Sequence, residues 1–243
     1  MLNGDASERA PLLGGFDDDR ANHFVLDIVS PDIRSPFSTG PAPHRALLSH
    51  GRTRTDSMSD DEPLRSERLV LEPLVEAHAE ALFAGFSDPR LHTYIPTDPP
   101  ASIDALRDRY RRLAKRTSPD GRERWLNWAT RLAAQPIYVG LIEATVREDA
   151  TASLAYFVFS EHARRGYGSE SAGIVVDHLH RALRVRAVQA NIDSRNLASI
   201  RLVERLGFIR ESLVLEADHF KGSGSDELVF TRVEKRFDPS SLP

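Results

Sequence analysis

Gly166 and Gly168 stand two residues apart in the stretch ARRGYGSE, between a hydrophobic strand and an amphipathic helix. That pattern suits phosphate binding. Without a Cβ the backbone takes conformations closed to other residues, so consecutive N–H groups can turn toward one anion. The helix that follows aims the positive end of its dipole at the same point. Arg164 and Arg165 add charge beside the turn. Ala172, Val175, Val176, Leu179 and Leu183 recur at helical spacing and give this helix a buried face that fixes its position. A strand, a glycine turn and a helix also occur with no ligand. A second segment, ANIDSRNLASIRLVERLGF at 190–208, narrows the choice. It reads as a strand, a loop, a short helix with Ile200, Val203 and Leu206 inward, and a terminating Gly207.

Around these segments the chain divides near residue 65. Residues 1–57 are rich in Asp, Ser, Pro, Gly and Arg, contain no lysine and hold one short apolar patch, Phe24 to Val29. So little apolar surface does not offset the ordering cost of a fold, so residues 1–65 are expected to form a poorly structured extension. Met58 opens MSDDEPLRSERLVLEPL, which has the look of a bacterial protein start, and translation is expected to begin there. Residues 66–236 form the expected folded domain and 237–243 a tail.

Within the domain, ERLVLEPL alternates as a first strand, and Glu76 to Phe86 reads as a helix with Ala79, Leu82, Phe83 and Phe86 inward. A proline-rich loop, 87–101, carries His92, expected at the surface, and a basic helix runs from Ser102 to Arg116. Strands are expected over Trp125–Leu132, Tyr138–Val146 and Ser153–Ser160, joined by hairpin-length linkers. After the glycine turn and its helix come a strand at 186–192, the short helix, and strands at 209–217 and 226–234. This order implies an α+β (mixed α/β) fold: a central, mostly antiparallel twisted sheet of about seven strands with helices on both faces.

Composition bounds the chemistry. The chain has 243 residues, no cysteine, 29 arginines against 3 lysines, and a net charge of −4. Thiolate metal sites and disulfides are excluded, and a reducing cytoplasm is the expected compartment. No membrane span or signal-peptide core is visible, and the acidic balance gives no reason to expect nucleic-acid binding. No histidines fall at metal-ligand spacing, so no metal site is expected.

The element order, the RRGYGSE turn and NLASIRLVERLGF together resemble the GNAT superfamily of acetyl-CoA-dependent N-acetyltransferases. Within it they look like the RimJ/RimL branch, which acetylates protein N-termini on the ribosome, and the likeness runs from Glu67 to Arg232. It implies that the amides of Arg164, Arg165, Gly166, Tyr167, Gly168 and Ser169 hold the pyrophosphate of acetyl-CoA. Ala163 stands where the wider superfamily often has Gln or Arg. Tyr156 matches the family tyrosine of the fourth expected strand, so Phe157, Val158 and Phe159 would run beside the pantetheine, with an amide near Val158 polarising the thioester carbonyl.

Asn196 and Ser199 match the branch's N-x-x-S motif, and the likeness implies that both also contact the cofactor. Val203 holds the place of the tyrosine acid found elsewhere in the superfamily, which makes Ser199 the candidate acid, although a serine near a helix start also serves as a cap. The candidate base is Asp218, in LEADHFKG, with Glu143 as the other carboxylate whose strand could face the cleft; either also reads as an ordinary surface carboxylate. Asp226 matches a family aspartate read as structural. Tyr94, Trp125 and Tyr156 are expected to contact the acceptor amine.

The implied reaction is direct attack of an amine on acetyl-CoA. An α-amine is roughly a tenth neutral at pH 7 and a lysine below about a thousandth, which favours an N-terminal or small-molecule amine over lysine; the expected acceptor is a protein N-terminal α-amine, with a small amine such as a drug, amino acid or polyamine as the alternative. An acidic cleft would favour a polyamine, an open groove a peptide. A drug, an amino acid, or a coenzyme A binding module without turnover are the alternatives, and a homodimer through the edge of the last strands is left open.

Overall fold

The computed structural model describes residues 62–234. The extension as far as residue 61, including the start expected at Met58, and the tail at 237–243 lie outside the described residues. Eight strands form one sheet: β1 (Leu64–Arg65), β2 (Leu69–Pro73), β3 (Glu123–Leu132), β4 (Tyr138–Arg147), β5 (Thr151–Val158), β6 (Ala187–Asp193), β7 (Ile209–Phe220) and β8 (Ser223–Val233). Four helices accompany them: α1 (His78–Phe86), α2 (Ile103–Leu113), α3 (Tyr167–Arg181) and α4 (Leu197–Arg205). The extra strand is β1, two residues ahead of the expected domain boundary and antiparallel to β2. Two residues are too few to show an alternation.

Strand order is β1-β2-β3-β4-β5-β6-β8-β7. Every pairing is antiparallel except that of β5 with β6, which is parallel and limited to Thr151–Ala187, Ala152–Val188 and Ser153–Gln189. Past these residues both strands continue, β5 to Val158 and β6 to Asp193, without pairing each other. The sheet therefore splits down its middle.

Strand alternation sends side chains to two cores. Leu126, Trp128, Ile142, Ala144, Leu154, Leu228 and Phe230 join Val175, Val176 and Leu179 of α3 and Val203 of α4 on one face. On the other, Ala129, Leu141 and Phe157 meet Leu82 and Phe86 of α1 and Leu106 and Tyr110 of α2. Helix starts follow from capping. The Ser102 side chain accepts from the Ala105 N–H (3.1 Å) ahead of α2, and the Asn196 side chain accepts from the Ser199 N–H (3.2 Å) ahead of α4.

The proline-rich loop departs from expectation at His92. A 3-10 turn, Pro89–His92, capped by the Asp88 side chain, rolls the ring inward. His92 is 1 % exposed, with Nε2 2.8 Å from the Phe86 carbonyl oxygen and Nδ1 3.2 Å from that of Thr97. At the far end of the chain, Lys221 and Gly222 form a two-residue loop between β7 and β8, both with positive φ, the geometry that matches strand twist in a tight hairpin. The Lys221 ammonium donates to the carbonyl oxygens of His92 (2.5 Å), Ile95 (2.7 Å) and Thr97 (3.1 Å). Hairpin tip and proline loop are thereby joined.

Candidate active site

One lip of the split is the glycine turn. Gly166 caps α3 in the left-handed conformation (φ 84°), and Arg164 before it also has positive φ (62°). The first intrahelical bond runs from the Glu170 N–H to the Gly166 carbonyl oxygen at 3.1 Å. The amides of Gly166, Tyr167, Gly168 and Ser169 therefore lie in the first turn, where a helix offers no acceptor. Gly168 sits at a close approach of α3 to α4 and β5. A Cβ there would lie 2.9 Å from Leu202 Cδ1 and 3.1 Å from Val158 Cγ2. These amides, the helix dipole and the exposed Arg164 and Arg165 make a cradle fit for a diphosphate.

The turn is strapped to the sheet. Arg68 pairs with Glu170 and donates from Nη1 to the Arg165 carbonyl oxygen (3.2 Å), and its guanidinium lies 5.1 Å from the Tyr167 ring centre. Burial pushes the Glu170 carboxyl up, but hydrogen bonds from Ser66 and Arg68 hold it below the usual carboxylate range. Ser169 Oγ accepts from Arg205 of α4 at 3.5 Å.

From the turn the split leads to Val158. The Phe159 N–H donates back to the Val139 carbonyl oxygen next to β4 at 2.9 Å. Successive amides of a strand point to opposite edges, so the Val158 N–H faces the edge that β6 has left. Phe157 and Phe159 turn their rings the other way, into the core beneath α1, 5.4 and 5.5 Å from the Phe86 ring. Only their backbones are available to a ligand in the split.

Where β5 and β6 diverge, a cleft of about 290 Å³ opens. Tyr156, Asn196 and Ser199 border it from the α4 side. The Tyr156 hydroxyl donates to the Ser199 carbonyl oxygen (3.2 Å), and burial pushes its own proton affinity up to about 12. The cap of α4 is the Asn196 side chain and not that of Ser199. The other wall is formed by Tyr94, Ile95 and Pro96 of the proline loop and by β6, β7 and β8. Asp193, Glu216, Asp218 and Glu227 all line it, and among the described residues no Lys or Arg does.

These carboxylates are held differently. Burial pushes Asp193 up, but hydrogen bonds from Arg195 and Ser225 hold it below the usual range. Asp218 is exposed on β7, beyond a bulge that begins at Val214, and its Oδ1 accepts the N–H of the next residue, His219, at 2.7 Å. Asp226 anchors the bulge, its Oδ1 accepting from the Glu216 N–H at 2.9 Å. Glu227 was missed by sequence reasoning. It accepts from Asn191 Nδ2 at 2.8 Å, and burial, reinforced by Asp218 and Asp193, pushes it up to about 8.

Two expected site residues are not brought to the cleft. Glu143 is 2 % exposed and accepts from Arg109 Nη2 of α2 at 2.6 Å, so it is sealed between sheet and helix. Trp125 is buried on β3, with Nε1 donating to Glu123 at 3.2 Å, and does not border the cleft. Both follow from strand geometry: alternation tells that two side chains share a face, not which layer covers it. Among the described residues, no group of His, Asp and Glu side chains could hold a metal ion, and no helix is long and apolar enough to cross a membrane.

Comparison with known proteins agrees with this geometry. Residues 68–209 match the model of the acetyltransferase (GNAT) domain. YoaA of Bacillus subtilis (strain 168), described as an uncharacterized N-acetyltransferase, is 26% identical over 175 residues, covering 71% of this chain and 97% of YoaA. Two solved structures share the fold at lower identity. The ribosomal-protein-S5-alanine acetyltransferase of Vibrio fischeri superposes with a TM-score of 0.65 at 15% identity, over 74% of this chain and all of that one. The spermidine N-acetyltransferase of Vibrio cholerae, solved with CoA and spermine, gives 0.61 at 18%, over 69% and 96%. With the family model covering more than half of the sequence, and a split sheet beside a glycine turn in place, the chain belongs to the GNAT family and is an N-acetyltransferase.

Proposed function

We propose that the chain moves an acetyl group from acetyl-CoA to the primary amine of a small cationic acceptor, both bound at once in the split between β5 and β6. Bound acetyl-CoA supplies an activated thioester. The α3 turn holds its diphosphate through the amides from Arg164 to Ser169, and the Val158 N–H receives the charge that builds on the carbonyl oxygen. Ser199 gives a proton to the departing thiolate, its place in α4 fixed by Asn196 and by the Tyr156 hydroxyl. Tyr94 and Asp218 stand where an acceptor would lie.

The observation that carries the choice of acceptor is the cleft wall, with Asp193, Glu216, Asp218 and Glu227 on it and, among the described residues, no basic side chain. Such a wall attracts an amine that brings more than one positive charge. A protein N-terminal α-amine is the second reading, that of the RimJ/RimL branch. It is favoured by the N-x-x-S match at Asn196 and Ser199 and by the larger neutral fraction of an α-amine. We place the enzyme in the cytoplasm, and take the exposed Ile209, Leu213 and Leu215 of the end strand β7 as the surface where a second copy would pair.

Thiol release from acetyl-CoA, measured across polyamines, amino acids and peptides with free N-termini, tests this reading. Turnover highest with di- and polyamines supports it, and turnover confined to peptides moves the assignment to the N-terminal branch. CoA binding without turnover on any amine leaves a coenzyme A binding module.

A further inference from the structure

We propose that Glu227 takes the proton from the acceptor amine, an inference that rests on the acetyltransferase reading above. Glu227 lies on β8, paired across to Asp193 of β6 and Val214 of β7, and it lines the cleft. Its neighbour Leu228 points into the core under α3 and α4, so the Glu227 side chain faces the opposite side of the sheet, toward the wall that carries Tyr94. Ser199 approaches from α4. Acid and base thus reach the reacting atoms from opposite faces of the split, as a proton moving in and a proton moving out require.

Of the other carboxylates, Glu216 is exposed on the cleft wall, and three, at the cleft or sealed from it, are committed elsewhere. Glu143 is paired with Arg109, Asp193 with Arg195, and Asp218, the base expected from family likeness, is exposed and turned onto its own chain. Glu227 differs from all three. Among the described residues, Asn191 is its hydrogen-bond donor and no basic side chain pairs with it. A largely buried carboxyl without a cation ionises with difficulty, and an ammonium entering the cleft favours its ionised form. The charged and titratable groups around it are Asp193 with its partner Arg195 at the end of β6, Glu216 and Asp218 of β7, and Tyr94 of the proline loop. Burial, reinforced by Asp218 and Asp193, raises the carboxyl to about 8, close enough to an amine's own pKa for the ionised form to take its proton.

The step balances as follows. One proton leaves the ammonium for the Glu227 carboxylate, and the freed nitrogen lone pair forms the C–N bond to the acetyl carbon. The C–S bond breaks with its electron pair going to sulfur, which takes up the Ser199 proton. The second nitrogen proton restores the serine, and the proton on Glu227 passes to solvent, so the net yield is acetylamide, CoA thiol and one proton.

Glu227→Gln keeps the shape and the contact with Asn191 while removing the base. The expected result is a fall in kcat of about a hundredfold, KM within about threefold, and an unchanged Kd for CoA by calorimetry. In the unaltered enzyme kcat/KM should rise with a midpoint near 8 and fall at the acceptor's own pKa; the rise should vanish in Glu227→Gln and return in Glu227→Asp. Turnover of Glu227→Gln within threefold of the parent, with the rise intact, overturns the inference and leaves the transferase reading standing. Absence of thiol release from the unaltered enzyme with every amine removes both.

Discussion

The two lips of the split are built from different materials. On the α3 side the working groups are main-chain amides, fixed by the left-handed Gly166, by the absence of a side chain at Gly168 and by the Arg68–Glu170 strap. On the β7–β8 side they are carboxylates on strands and a proline loop, fixed by a bulge and by one lysine. The contrast teaches where variation is tolerated. A backbone cradle depends on conformation and recognises a group common to every donor, whereas side chains on the other lip can be exchanged one at a time to suit an acceptor. The fold beneath serves both, and substitutions should separate into three groups: scaffold, donor lip and acceptor lip.

The largest effect is expected in the scaffold. Arg109→Ala strands Glu143 in a nearly closed layer, and denaturant unfolding should show a loss of about 3–5 kcal/mol. A loss below 1 kcal/mol would show that Glu143 is not sealed off from the cleft. Ser199→Ala should lower kcat by about a hundredfold with the Kd for CoA unchanged, because the cap of α4 is Asn196. Rapid-quench turnover and calorimetry on the same preparation check it, and weakened CoA binding would move Ser199 to the donor lip. Glu227 should also register in stability. Its proton is held up to about pH 8 in the folded chain but only to about 4.3 when unfolded, so folding weakens as pH rises between these values. Glu227→Gln removes that loss, and its melting temperature should match the parent at pH 4.5 and exceed it by about 10 °C at pH 8.5. The smallest effect belongs to the exposed wall. Asp218→Asn should raise KM for a dicationic acceptor about threefold and flatten its salt dependence, with no change for CoA.

Legibility from sequence followed the same division. The α3 turn could be read because its chemistry is local: Gly166, Gly168 and the apolar stripe from Ala172 to Leu179 lie within one strand–turn–helix unit. The strands and helices also stood out by period, except β1, which has two residues. The acceptor lip was harder to read. Asp226 stands out by likeness, while Glu227 beside it carries no motif. Its burial arises because β6 and β7 close on β8 from both sides, pairings set by residues more than thirty positions upstream and about ten. One local signal was present: Val229, two residues on and therefore on the same face, is apolar and 3 % exposed, so that face is covered. His92 and Glu143 failed for the same reason in reverse. A proline-rich loop suggests solvent and a strand carboxylate suggests an accessible face, but the 3-10 turn and α2 bury them.

The three carbonyl oxygens gathered by the Lys221 ammonium tie the β7–β8 hairpin to the proline loop, and both segments also line the cleft. One side chain therefore fixes the spacing between two parts of the acceptor wall that lie more than a hundred residues apart in sequence.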